Sequence, residues 1–254
     1  MGEFTMDMRG KTVVITGASR GIGAATAEVF AQAGAHLVLA ARSKAALDSL
    51  VKKLPSAVAV ACDVSKEADV QKMIKVAIES FGRLDVLINN AGVLDPVSRL
   101  EDAETAPWDR VIDVNVKGVF YGMRHAVPVM KAQGGGTIIT IGSGAATSAL
   151  EGWSAYCTSK AAVHHLNACL HKEEAEHGIR ALIMSPGTVA TNMQEVIRAS
   201  GVNPVSQIPW ENHIPAEWVG KVLLWMCGSD ADSHLGQTVA IRGEALQELV
   251  EGMA

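Results

Sequence analysis

Tyr156 and Lys160 stand four residues apart, a spacing that puts both side chains on one face if the segment is helical. Ser143 lies thirteen residues before Tyr156 and follows a β-branched run, 137–141, so a strand can deliver it to the same pocket. A phenol, an ammonium and a hydroxyl are the groups needed to interconvert a carbonyl and an alcohol. Hydride moves to or from carbon while a proton moves to or from oxygen, and the phenol carries the proton. Free tyrosine titrates near ~10; a neighbouring ammonium stabilises phenolate and predicts a lower value for Tyr156. Ser143 can donate a hydrogen bond to the substrate oxygen as its charge develops. Elsewhere such a pair would be only a solvated helix face, so the assignment depends on what surrounds it.

The second chemistry-bearing segment is Thr16-Gly17-Ala18-Ser19-Arg20-Gly21-Ile22-Gly23. Its glycines allow a sharp turn and let an anion approach the free N–H groups at the start of the following helix. Gly17, Ser19, Arg20, Gly21, Ile22 and Gly23 are therefore candidates for holding a pyrophosphate. A glycine cluster can be only a turn; here a strand precedes it and a helix follows, which is the context a phosphate loop requires.

Positioning these groups calls for alternating elements. Strands are expected over 12–16, 36–40, 58–62, 85–89, 137–141, 180–185 and 238–241, and helices over 22–33, 43–54, 65–80, 105–131, 155–177 and 216–227. Residues 188–213 lack a strong period, a length that suits a substrate-covering lid. Strand–helix alternation with right-handed crossovers predicts a Rossmann-type three-layer α/β sandwich on a mostly parallel sheet of about seven strands. Ligands of such sheets bind at the carboxyl ends of the strands, where strand order reverses.

The chain has 254 residues, 48% of them hydrophobic, which suits one domain, expected over 8–254. Residues 1–7 are expected to be a disordered or expression-derived leader. The net charge of −5 and the lack of a basic stripe argue against nucleic acid, and no apolar segment of membrane length is present. Without a signal-peptide pattern, and with Cys62, Cys157, Cys169 and Cys227 scattered as reduced thiols, a cytoplasmic location is expected. His164, His165, His171 and His177 have no metal-ligand companions, so they are assigned to the surface or an interface and no metal site is expected.

The GxxxGxG spacing of the glycine loop resembles that of the short-chain dehydrogenase/reductase family. Further pieces of that family's pattern recur in order along most of the chain: Asp63-Val64, Asn89-Asn90-Ala91-Gly92, Asn115, Ser143, Tyr156-x-x-x-Lys160, then Pro186-Gly187-Thr188 and Thr191. The resemblance implies a nicotinamide cofactor, with Lys160 also binding its ribose hydroxyls and Asn115 holding a water that links Lys160 to solvent. It implies that Asp63 and Val64 contact the adenine and that Asn89, Ala91 and Gly92 lie along the cofactor. Pro186, Gly187, Thr188, Val189 and Thr191 would border the carboxamide. Relatives that prefer NAD end the second strand in an acidic residue that holds the ribose 2′-hydroxyl. Ala41 takes that place here, Arg42 follows and Arg20 lies across the same pocket, so NADP(H) is the expected cofactor.

Where many members carry Asp-Gly-Gly after the last strand, this chain has Ile241-Arg242-Gly243-Glu244 and then a helical pattern at 246–250. That ending, with Gly152-Trp153-Ser154-Ala155-Tyr156, resembles the benzil-reductase and sepiapterin-reductase branch. Val93, Leu94, Gly144, Ala145, Leu150, Trp153, Met193, Val196 and Trp210 are the expected substrate walls, with Arg198 the nearest cation. They predict a bulky, largely apolar ketone or diketone. A homodimer or homotetramer is expected through the two long helices, the second of which carries more apolar residues than one stripe needs. Two alternatives stand beside the reductase: a non-catalytic NADP(H) sensor or scaffold, and an alcohol dehydrogenase working oxidatively.

Overall fold

Seven strands form one parallel sheet in the order β3-β2-β1-β4-β5-β6-β7. They are β1 (Thr12–Thr16), β2 (His36–Ala41), β3 (Ala57–Ala61), β4 (Val86–Asn89), β5 (Gly136–Ile141), β6 (Ile179–Met184) and β7 (Thr238–Val239). The computed structural model describes residues 6–240 and 242–252, so the expected leader lies outside the described residues up to position 5 and the expected strand end at Ile241 does too. Met6 packs against the core and Asp7 pairs with Arg9.

The helices are α1 (Gly21–Gln32), α2 (Lys44–Val51), α3 (Glu67–Phe81), α4 (Thr105–Ile112), α5 (Gly118–Ala132), α6 (Ser154–Glu174), α7 (Asn192–Ser200), α8 (Ala216–Trp225) and α9 (Gly243–Glu251). Strand side chains alternate between two apolar layers. Val13, Ile15, Leu37, Leu39, Ile88 and Leu182 face α1, α2, α8 and α9, whereas Val14, Val38, Val60, Leu87, Ile138 and Ala181 face α3, α5 and α6. Central strands are buried on both sides, which is why they read as continuous apolar runs.

Strand order reverses between β1 and β4, which are neighbours with Val13 opposite Val86 and Ile15 opposite Ile88. The crossovers leave β1 in one direction and β4 in the other, opening a crevice at their carboxyl ends. The glycine loop and the Asn89-Asn90-Ala91-Gly92 turn both emerge there.

Two expected elements differ. The helix expected over 105–131 is broken by a π-helical turn, Asp113–Lys117, between α4 and α5. The widened turn brings Asn115 inward, where it bonds to two neighbouring segments; such turns collect at functional sites. The segment 188–213 is ordered as α7 followed by two 3₁₀ turns. Its two ends pair with each other in an isolated bridge, where Ala190 N donates to Ile214 O at 3.0 Å and Ile214 N to Thr188 O at 3.1 Å.

Candidate active site

Gly17 turns the chain out of β1 with φ +66°, and a Cβ there would sit 2.9 Å from the Ala91 Cα. At Gly23 a Cβ would meet the Gly17 carbonyl oxygen at 2.5 Å. Only glycine allows the first turn of α1 to fold this tightly over the loop. No side chain caps α1, so its first N–H groups face the crevice and suit an anion. Ser19 is half-buried and Arg20 exposed. Across the loop, the Thr191 Cγ2 lies 3.3 Å from where a Gly21 Cβ would be. The segment after β6 thus closes over the glycine turn, with Pro186 and Val189 buried and Gly187 and Thr188 nearer the surface. Narrow glycine turns, uncapped amides and this roof fit a dinucleotide pyrophosphate.

The turn after β4 is stitched to the loop by Asn90, which the sequence reading passed over in favour of Asn89. Asn90 Nδ2 donates to Thr16 O at 2.8 Å, and Thr16 Oγ1 accepts from the backbone of Asn90 and of Ala91 at 3.0 Å each. Asn89 itself is 3% exposed, with its amide carbonyl against Gly122 and its Nδ2 without a partner among the described residues. It lies in the floor beneath the crevice. Val64 is buried against Gly118. The Asp63 Oδ1 accepts from Ser65 Oγ at 2.7 Å and Ser65 N at 3.2 Å. Burial raises the Asp63 pKa, but the Ser65 hydrogen bonds and the charges of Arg110 and Arg42 outweigh it and hold the carboxyl below its ordinary value. Arg42 is exposed at the carboxyl end of β2, beside Arg20 at that of β1, and neither forms an ion pair among the described residues. Ala41 is buried and paired with Ala61.

Ser143, Tyr156 and Lys160 converge as their spacing predicts. Ser143 begins a 3₁₀ turn after β5 and its Oγ accepts from Ala145 N at 3.1 Å. The Ser143 hydroxyl lies on the Tyr156 side of the turn, near enough to the phenol to favour its ionised form. Lys160 is 6% exposed, donates from Nζ to the Ile141 carbonyl at 2.7 Å and lies 5.5 Å from the Tyr156 ring centroid. The expected depression of the tyrosine pKa is absent. Burial pushes the Tyr156 phenol up to about 12, and the Ser143 hydroxyl opposes this only in part. Burial also lowers Lys160 to about 8. Loss of water is the larger influence on the phenol.

Gly92 lies against both Asn115 and Lys160: a Cβ on Gly92 would lie 3.5 Å from Asn115 Oδ1 and 3.9 Å from Lys160 Nζ. Asn115 Oδ1 accepts from Val93 N at 2.9 Å, and its Nδ2 donates to Val93 O at 2.9 Å and Ser159 Oγ at 3.0 Å. Its side chain therefore fixes the β4 turn to α6. His164, expected at the surface or an interface, is instead half-buried one helical turn beyond Lys160. Its Nε2 would be 2.4 Å from a Gly142 Cβ, so only glycine fits beside Ser143 there. Burial and the Lys160 charge hold the imidazole pKa below its ordinary value.

Of the expected substrate walls, Leu94, Ala145, Leu150, Trp153 and Met193 join Tyr156 in one small apolar cluster. Ile197, Val97, Val205 and Cys157 belong to it as well and were missed; the helical spacing of Met193, Val196 and Ile197 was the available signal. Trp153 meets Tyr156 edge-on at 5.5 Å. Val93 packs on the opposite layer, and Gly144 is exposed at the rim. Val196 and Trp210 are 43% and 38% exposed. Trp210 lines an open groove with Glu195 and Arg198 and stacks on His213.

A switch-point crevice built for a dinucleotide, with a tyrosine and a lysine at its inner end, defines a nicotinamide-dependent oxidoreductase. The family profile described as short chain dehydrogenase matches residues 11–201, and the chain belongs to the short-chain dehydrogenase/reductase family. It is 34% identical over 243 residues to a 3-oxoacyl-[acyl-carrier-protein] reductase of Thermotoga maritima, covering 94% of this chain and 98% of that protein. A short-chain type dehydrogenase/reductase from Mycobacterium marinum superposes with a TM-score of 0.85 at 33% identity, over 94% of this chain and 96% of that one. A 7α-hydroxysteroid dehydrogenase complexed with NADH and 7-oxo glycochenodeoxycholic acid superposes with a TM-score of 0.84 at 30% identity, over 96% and 98%.

Proposed function

We propose that this protein is an NADP(H)-dependent carbonyl reductase that converts a bulky, largely apolar ketone or vicinal diketone to the alcohol, with Tyr156 as general acid. The observation that carries this reading is the placement of Tyr156, with Ser143 beside its phenol, within the apolar cluster of Leu94, Ala145, Trp153 and Ile197. Burial keeps the phenol protonated at neutral pH, as a proton donor requires. Ser143 holds the carbonyl oxygen, and Lys160 faces the phenolate that forms and returns a proton to it. Asn115 keeps the β4 turn and α6 in register around Lys160. The bound nicotinamide supplies the hydride.

The names of two relatives agree with a carbonyl substrate: one is a 3-oxoacyl reductase, the other was captured with a bulky 7-oxo compound. The resemblance to benzil and sepiapterin reductases points the same way. One relative was captured with NADH, so membership of the family leaves the cofactor open; Ala41, Arg42 and Arg20 favour NADP(H). In a cytoplasm whose NADP pool is kept reduced, reduction is the favoured direction.

The test is a panel of ketones assayed with NADPH and NADH side by side. NADPH absorbance should fall fastest with aryl ketones and benzil-like diketones. Higher kcat/KM on small keto acids would overturn the apolar-pocket reading, and Arg198→Ala would then show whether Arg198 anchors them. Cofactor binding without turnover of any ketone would favour a sensor or scaffold, and turnover of alcohols alone an oxidative enzyme.

A homodimer or homotetramer is proposed through α5 and α6. Ala161, His165 and Ala168 form an outward stripe at i, i+4 and i+7 on α6, while Val163 and Leu170 turn into the core. Phe120 on α5 is 42% exposed. Small residues allow close helix approach, and a second copy would cover the aromatic ring. Light scattering at micromolar concentration should give at least twice the 26.7 kDa chain mass; a monomer would refute this.

A further inference from the structure

Arg242, which follows β7, reaches the loops after β5 and β6 at the rim of the site. Its Nη2 lies 3.7 Å from where a Cβ on Gly144 would sit, and its Nε 4.0 Å from that of Gly187. Gly144 adjoins Ser143, and Gly187 belongs to the turn after β6, so the guanidinium spans the rim between the two loops. Neither glycine has a side chain to fill that space. Arg242 is exposed and forms no ion pair among the described residues. Its backbone is extended where the chain turns into α9.

Sheet order decides which ligand this cation can serve. Arg20 and Arg42 stand over β1 and β2, whereas Arg242 follows β7 at the opposite edge. Five strand spacings separate β2 from β7, about 24 Å at the usual ~4.8 Å each. Arg242 is thus remote from the end where a 2′-phosphate would bind, and its guanidinium lies between the loops after β5 and β6, next to the neighbour of Ser143. An unpaired guanidinium fork there is complementary to a carboxylate, which it can hold by two parallel hydrogen bonds.

We propose that Arg242 is a specificity-determining residue that binds a carboxylate carried by the ketone substrate, within roughly 12 Å of the Ser143 Cα. The inference rests on the reductase reading and narrows it. The apolar body of the substrate packs on the Trp153 and Ile197 cluster, and its acidic end leaves the pocket between Gly144 and Gly187. A small keto acid lacks the body; a neutral diketone lacks the end.

The experiment compares aryl ketones bearing a carboxylate one to six carbons from the carbonyl with their methyl esters, in the wild type and in Arg242→Gln. At the tether length that fits, the wild type should favour the acid over its ester. Arg242→Gln should lower kcat/KM for that acid about 10- to 150-fold, through KM, and leave the ester unchanged. Retained ester turnover shows that the variant is folded, and the acid-to-ester ratio of the wild type tests the idea without any variant. Equal loss on acid and ester, a wild-type preference for the ester at every length, or an effect confined to the KM for NADPH would each overturn the proposal and leave the reductase reading standing. If neither acids nor esters turn over with either cofactor, the reductase reading falls and this inference falls with it.

Discussion

Tyr156→Phe should lower kcat by roughly 10²–10⁴-fold while NADPH still binds, because the change removes the proton-donating hydroxyl and leaves the ring in place. The ring keeps its edge contact with Trp153 at 5.5 Å and its place in the apolar cluster, so loss of fold would not explain the result. Stopped-flow turnover and a fluorescence titration of NADPH separate the two effects; near wild-type kcat in the variant would refute the assigned mechanism. The wild-type pH profile adds a second readout. Burial sets Lys160 at about 8 and Tyr156 at about 12. Below pH 8 the lysine is charged and can stabilise the phenolate left by proton donation; above it that charge is lost. For reduction, kcat/KM should therefore be level on the acidic side and fall above about pH 8. Ionisation of the phenol itself lies above the working range. A rate that climbs through pH 8 would mean that the neutral lysine is the active form.

Arg42→Ala should weaken NADPH binding by roughly 10–150-fold and barely change NADH. The expectation follows from what the end of β2 offers. Ala41 is buried and carries no carboxylate to repel a 2′-phosphate, while Arg42 is exposed directly after it. Arg20, at the N-cap of α1, sits in the loop that follows the neighbouring strand β1, so two guanidinium groups can bracket one phosphate with charge-assisted hydrogen bonds. Asp63 shares this field, since the charge of Arg42 helps hold its carboxyl low. Neutralising Arg42 therefore removes a phosphate donor and leaves Asp63 less compensated, and both effects act against NADPH. The Kd for each cofactor in wild type and variant decides the matter. Equal wild-type efficiency with NADPH and NADH, or equal loss of both in Arg42→Ala, would leave Arg42 as a solvated surface residue.

The local pattern carried much of this protein. The GxxxGxG loop, the four-residue step from Tyr156 to Lys160 and the strand–helix alternation are short-range features. Each is fixed by backbone sterics or helical pitch, so each is legible without the fold. The parallel seven-stranded sheet follows from that alternation and crossover handedness. What the linear pattern could not show depends on contacts distant in sequence. Asn90 rather than Asn89 stitches the glycine loop because pleat alternation sends Asn89 into the floor. The π-helical turn at Asn115 pairs that residue with Val93 and Ser159, neither of which is near it in sequence. The tyrosine pKa reversed its expected direction because burial strips water from the phenol, which the linear pattern does not show. Arg242 joined the site only through tertiary structure: it follows the last strand, and sheet order brings that strand beside β6, so its guanidinium reaches the loops of Gly144 and Gly187. Residue type and spacing set the chemistry available; desolvation and strand order, which exist only in the folded chain, decide how it is tuned and what it can hold.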